Sequence, residues 1–172
     1  RAIHTTADFD YADNLVFSPQ AVKTGLEALK SGCDIVTDTQ MAKAGINKTI
    51  LASLGGEVHC FMADADVAQE AKSRGVTRAL VSMEKAAALP KPCIFAIGNA
   101  PTALLSLEHL MEEGKLSPAL IIGVPVGFVN VVESKELILE GNRAPYIIAR
   151  GRKGGSNVAA AICNAMLYQI KR

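Results

Sequence analysis

Five short apolar runs punctuate the chain: CDIVT (33–37), EVHCF (57–61), CIFAIG (93–98), ALIIGVPV (119–126) and YIIAR (146–150). Runs of this length, bounded by Gly, Pro and Asp, read as strands buried on both faces, and their alternation with segments of helical periodicity predicts a mainly parallel sheet. Ser18-Pro19 opens a predicted helix through AVKTGLEALK that stops near Gly32, and Asp64 opens another through DADVAQEAKSRG. Further helices are predicted near 76–88, 101–113, 132–139 and 156–170, and RAIHT at the start reads as the end of a helix. With no internal repeat and no dividing linker, the expectation is one α/β domain over residues 1–172. It is a five-stranded, mainly parallel sheet with helices on both faces, a Rossmann-like three-layer sandwich.

Right-handed crossovers place the loops after the strands on one edge, where open α/β sheets keep their ligands. Four segments fall there: TDTQM (37–41), GNAPTA (98–103), GVPVGFV (123–129) and GRKGGS (151–156). Each alone is ordinary turn chemistry, and together they mark an edge. In GNAPTA the residue before proline avoids helical geometry, so Ala100 is the predicted N-cap and Pro101 the first helical residue. Alanine has no oxygen with which to cap, so the N–H groups of Thr102 and Ala103 are left for water or a ligand, and a helix start at the carboxyl end of a strand favours an anion. In GRKGGS, Arg152 and Lys153 add positive charge and Ser156 is the expected helix cap. That segment does not match GxxxxGK[ST], and no GxGxxG follows the first strand.

Composition narrows the function. The chain is 49% hydrophobic and 20% charged, an ordinary globular balance, and its net charge of +1 excludes wholesale phosphate neutralisation. Aromatic residues make up 5% with no basic-aromatic stripe, which argues against a nucleic-acid platform. Cys33, Cys60, Cys93 and Cys163 form no CxxC pair and read as buried free thiols of a reducing, cytoplasmic protein. No apolar stretch reaches about 18 residues, so no membrane span is expected. GxSxG and HExxH are absent and no ligand spacing suggests a protein-held metal. Among the three histidines, His59 in a strand and His109 among leucines read as structural, whereas His4, beside Arg1, Thr5 and Thr6, is the acid/base candidate.

The segments RAIHT, FSPQAV, IVTDTQMAKAGI, TRALVSME, AIGNAPTAL, PALIIGVPVGFVNVVESKE and ARGRKGGSNVAAAICNA, in that order and spanning the chain, resemble the precorrin-8X methylmutases and their cobalt-precorrin-8 counterparts. The resemblance implies an intramolecular isomerase of cobalamin biosynthesis that moves the C-11 methyl group of the macrocycle to C-12, giving hydrogenobyrinic or cobyrinic acid. It implies a corrinoid tetrapyrrole substrate, no cofactor, any cobalt belonging to the macrocycle, and a homodimer binding the ring near its interface. Neither nucleic acid nor membrane is an expected partner. The family's catalytic histidine, in its Arg-x-[Ile/Val]-His motif, maps onto His4 and its substrate-contacting arginine onto Arg1. Candidate holders of the ring's carboxylates are Thr5, Arg78, Asn99, Thr102, Ala103, Arg152, Lys153 and Ser156. GVPVGFV either lies against the macrocycle or forms a core turn. Family members carry a further segment before the Arg-x-x-His motif, and with Arg rather than Met at position 1 the expectation is that this segment is missing here. Two other readings stand beside the isomerase: a non-catalytic tetrapyrrole carrier, and a nucleotide-dependent transferase using GRKGGS as its phosphate loop.

Overall fold

In the computed structural model, residues 1–171 are described. Six strands form one sheet: β1 (Leu15–Phe17), β2 (Asp34–Thr37), β3 (Val58–His59), β4 (Cys93–Ile97), β5 (Leu120–Gly123) and β6 (Tyr146–Ala149), in the order β1-β6-β5-β4-β2-β3. All neighbours pair in parallel except β1, which runs antiparallel to β6 with Val16 opposite Ile148. The five predicted strands are β2 to β6. The sixth, β1, is only three residues long and carries no pattern of its own; its ladder partner, 130 positions away at the closest pair, Phe17 opposite Ile147, exists only in the folded sheet.

Among the described residues ten helices cover the sheet: α1 (Ala2–Thr6), α2 (Tyr11–Asn14), α3 (Ala21–Lys30), α4 (Gln40–Gly45), α5 (Lys48–Ser53), α6 (Ala65–Arg74), α7 (Arg78–Ala87), α8 (Pro101–Glu112), α9 (Val131–Gly141) and α10 (Ser156–Ile170). The strands are mostly apolar because both faces are covered, and successive residues feed opposite cores, with Asp34, Thr37 and His59 the polar exceptions in β2 and β3. Ile35, Ile94, Leu120, Ile122 and Ile147 pack with Leu29, Leu51, Cys163 and Leu167 from α3, α5 and α10. Val36, Phe95, Ile97, Ile121 and Ile148 pack with Met83, Leu104, Leu107 and Ile138 from α7, α8 and α9.

Several local expectations change. Helix α4 begins inside TDTQM, expected only as a turn, and α5 falls where no element was predicted; Thr39 and Asn47 cap them, accepting from the N–H groups of Ala42 and Ile50. Ser18 does not open α3, which begins at Ala21 after Gln20; its hydroxyl instead accepts the Tyr146 N–H at 2.9 Å and secures the end of β6. His109 is largely exposed on α8, 3.5 Å from Glu113, while half-buried His59 stacks on Phe61 and bonds Asp34 at 3.1 Å. All four cysteines are buried thiols, and burial pushes Cys33 and Cys163 up to about 12 and Cys93 to about 11.

Candidate active site

The chain runs from β2 outward to β3, then returns past β2 to β4 and continues to β5 and β6. The strand order therefore reverses between β2 and β4, which is where an open α/β sheet leaves its crevice. That crevice is filled by the protein itself. Asp38, one residue beyond β2 and 1% exposed, accepts the N–H groups of Gly98 at 2.8 Å, Asn99 at 2.8 Å and Ala100 at 2.6 Å, the turn beyond β4. Burial, the largest influence, raises the Asp38 pKa, and the three N–H donors oppose it. Ala100 is the N-cap of α8 and Pro101 its first residue, as the proline rule requires, but the anion beside this helix start is an internal carboxylate.

The remaining loops interlock around this point. Val124 donates to Ile97 O at 2.8 Å, Gly155 to Val124 O at 2.9 Å and Gly127 to Arg152 O at 3.2 Å, so the turns after β4, β5 and β6 form one bonded rim. Two glycines permit the approach. A Cβ on Gly98 would lie 2.7 Å from Ser156 Cα, and one on Gly154 would lie 2.1 Å from Val124 O.

The candidate substrate holders divide on this rim. Ala103 is fully buried and its N–H donates to Ala100 O at 3.0 Å, so it is not an open donor. Ser156 is the first residue of α10 rather than its cap, which is Gly155, and its hydroxyl is 2.7 Å from Thr39 Oγ1. Lys153 is already paired: its Nζ is 2.6 Å from Asp8 Oδ2 and 2.6 Å from Asp10 Oδ2. These contacts hold Lys153 well above the ordinary lysine range and Asp8 below the ordinary carboxylate range. They also tie the segment after α1 to the GRKGGS loop. Arg152 is exposed and has no ion pair among the described residues. Asn99 and Arg78 are exposed at the starts of their segments, and Thr102 Oγ1 accepts from Thr77 Oγ1 at 3.3 Å.

His4 and Thr5 are exposed on α1, which packs along α10. Arg1 lies over the Tyr168 ring at 6.0 Å. Tyr168 is twelve residues beyond Ser156, so Arg1 sits roughly 18 Å along α10 from the loop that carries Arg152. A cavity of about 830 Å³ forms a groove between α7 and α8 lined by Thr77, Leu80, Leu105 and His109; of the candidate residues only Thr102 reaches it. Phe9, Phe128 and Val129, beside the bonded rim, are 79%, 87% and 77% exposed, so GVPVGFV ends as an open apolar loop while Val124 and Pro125 are buried.

Two residues of this rim escaped sequence reading. Asp38 lay inside a quoted turn with nothing to distinguish it, its partners being 60 to 62 positions away. Lys135, described below, lay within a helix as an ordinary lysine. Among the described residues no group of three or more His, Cys, Asp or Glu side chains is placed to hold a metal ion, and no helix is long and apolar enough to cross a membrane.

The family model described as Precorrin-8X methylmutase (CbiC) matches residues 1–169. The cobalt-precorrin-8 methylmutase of Leptospira interrogans is 48% identical over 174 residues, 97% of this chain and 79% of that protein. The Salmonella typhimurium cobalt-precorrin-8 methylmutase is 47% identical over 173 residues, covering 99% and 80%. The solved precorrin-8x methyl mutase of Thermus thermophilus is similar with a TM-score of 0.86 at 38% identity, covering 97% of this chain and 81% of that one.

Proposed function

The chain belongs to the precorrin-8X methylmutase family, and we propose that it performs that family's isomerisation with His4 as the proton-handling group. The reaction moves one methyl group from C-11 to C-12 within the macrocycle in cobalamin biosynthesis, so no methyl donor is needed. The carbon–methyl bond at C-11 breaks as the one at C-12 forms, and the ring's double bonds shift to compensate. His4 lends a proton to the ring, selecting the tautomer from which the methyl migrates, and takes one back, so substrate and product remain isomers. The names of the two curated relatives support cobalt-precorrin-8 as the natural substrate, with the cobalt carried by the ring.

The observation that carries the role of His4 is its setting. It is exposed and, among the described residues, has no acidic partner, whereas His59 and His109 each have one. The chain just after it is pinned to the strand-edge rim through Lys153. General acid assistance of this kind is typically worth about 10² to 10⁴-fold. The ring's carboxylates are met locally, by the guanidinium groups of Arg152, Arg78 and Arg1, the Asn99 amide and the hydroxyls of Thr5 and Thr102. The exposed side chains of Phe9, Phe128 and Val129 support a homodimer that covers this apolar rim near the ring, and four buried thiols support a reducing, cytoplasmic setting.

Anaerobic incubation with precorrin-8x and, separately, with its cobalt complex tests the reading, following the visible spectrum as migration changes the conjugation. Conversion is expected for both and faster for the cobalt form. A tight complex with no conversion of either would leave a tetrapyrrole carrier instead.

A further inference from the structure

The segment Glu133-Ser134-Lys135-Glu136 lies in the first half of α9, directly after the exposed GVPVGFV turn. Lys135 is 0% exposed and among the largest fully buried side chains. Lysine is almost never fully buried without partners, because an ammonium taken from water must regain its hydrogen bonds. Here the partners are not carboxylates. Lys135 Nζ donates to Gly151 O at 2.7 Å and to Lys153 O at 3.0 Å, on either side of Arg152. Burial pushes its pKa down to about 8.

The next residue grips the same stretch: Glu136 accepts two bonds from Arg150, Nε at 2.9 Å and Nη2 at 2.5 Å. The Arg152 carbonyl itself accepts from Gly127 at 3.2 Å. Residues 150 to 153 are thus held at every carbonyl from 151 to 153, and of their three charged side chains Arg150 and Lys153 are ion-paired while the Arg152 guanidinium is exposed with no ion pair among the described residues. A donor-only group with three N–H bonds suits two neighbouring carbonyls; Met has no donor, and Gln has two, fixed in one plane on a shorter, uncharged side chain.

We propose that Lys135 is a positioning residue for substrate binding, whose buried ammonium draws the carbonyls of Gly151 and Lys153 inward and so presents Arg152 to a carboxylate of the corrinoid. This rests on the methylmutase reading above. Lys135 touches no substrate atom; it acts through the loop.

The test uses the full chain with Lys135→Met, Arg152→Ala and the double variant, measuring kcat and KM and, separately, the rate of tryptic cleavage after Arg152 and Lys153 without substrate. A charge-assisted contact of this kind corresponds to about a tenfold to hundredfold change in affinity. Lys135→Met is expected to raise KM within that range with little change in kcat, Arg152→Ala to do the same, and the double variant to be no worse than Arg152→Ala. Tryptic cleavage of the loop should quicken in Lys135→Met. An unchanged KM, or KM effects that multiply in the double variant, would overturn the proposal. Should Lys135→Met not fold, Lys135→Gln is held to the same criteria with an intermediate KM expected. If the unmodified chain converts neither substrate, the methylmutase reading fails, while the cleavage rates still report whether Lys135 holds the loop.

Discussion

An imidazole that trades protons with a substrate must be reachable and unencumbered, and His4 is both, whereas His59 is committed to Asp34. Replacing His4 by alanine is expected to lower kcat by about 10² to 10⁴-fold while leaving the affinity for product nearly unchanged, as read by absorbance titration. Unaltered turnover would remove His4 from the mechanism. Lys153 was read from sequence as a carboxylate holder, but Asp8 and Asp10 occupy it. As an exposed, solvent-screened ion pair it adds little stability, so its value is positional. Lys153→Ala and the Asp8→Asn, Asp10→Asn pair are therefore expected to lower kcat alike and, combined, to lower it no further. If Lys153 met the substrate directly, neutralising the two aspartates would instead lower KM.

At the scale of elements, the start of α8 shows why a capping gap need not signal an external ligand. Ala100 offers no side-chain oxygen, yet the N–H groups of Gly98, Asn99 and Ala100 are satisfied by Asp38. Asp38→Asn keeps one carbonyl oxygen and turns an amide toward the remaining donors. Leaving a buried donor unpaired costs about 1 to 3 kcal/mol, and a loss of at least that size is expected in urea unfolding. Gly98→Ala places a methyl group 2.7 Å from Ser156 Cα, backbone that cannot step aside cheaply. Overpacking of this kind costs about 1 to 3 kcal/mol, and a lowered melting temperature measures it. The same contact explains why α8 and α10 begin side by side on the rim.

For the molecule as a whole, the buried lysine makes stability depend on alkaline pH in a defined direction. The Lys135 pKa falls from 10.5 to about 8 on folding, so between those values the unfolded chain binds more protons and folding stability rises with pH. Each unit is worth about 1.4 kcal/mol, giving a gain of the order of 3 kcal/mol. Urea midpoints of the unmodified chain should therefore improve relative to those of Lys135→Met as pH rises from 8 to 10; the comparison cancels groups common to both, and a flat difference would deny the shift. Light scattering in solution tests the proposed dimer, and a monomer at micromolar concentration would exclude it.

The sequence by itself determined the parallel sheet, the helices on its two faces, the edge where its loops gather, the proline start of α8 and the family, because apolar periodicity, proline geometry and ordered motifs are local and survive in one dimension. It did not reveal β1, whose three residues are a strand only because β6 lies beside them. Nor did it reveal what the polar groups of the rim do. The anion for GNAPTA is Asp38, Lys153 is taken by the segment after α1, up to 145 positions away, and Lys135 is a buried support. A carboxylate or ammonium looks the same in a string of letters whether it faces water, substrate or the protein's own backbone. Only the winding of the sheet, which brings the ends of β2, β4, β5 and β6 together, decides which of them remains open to a ligand.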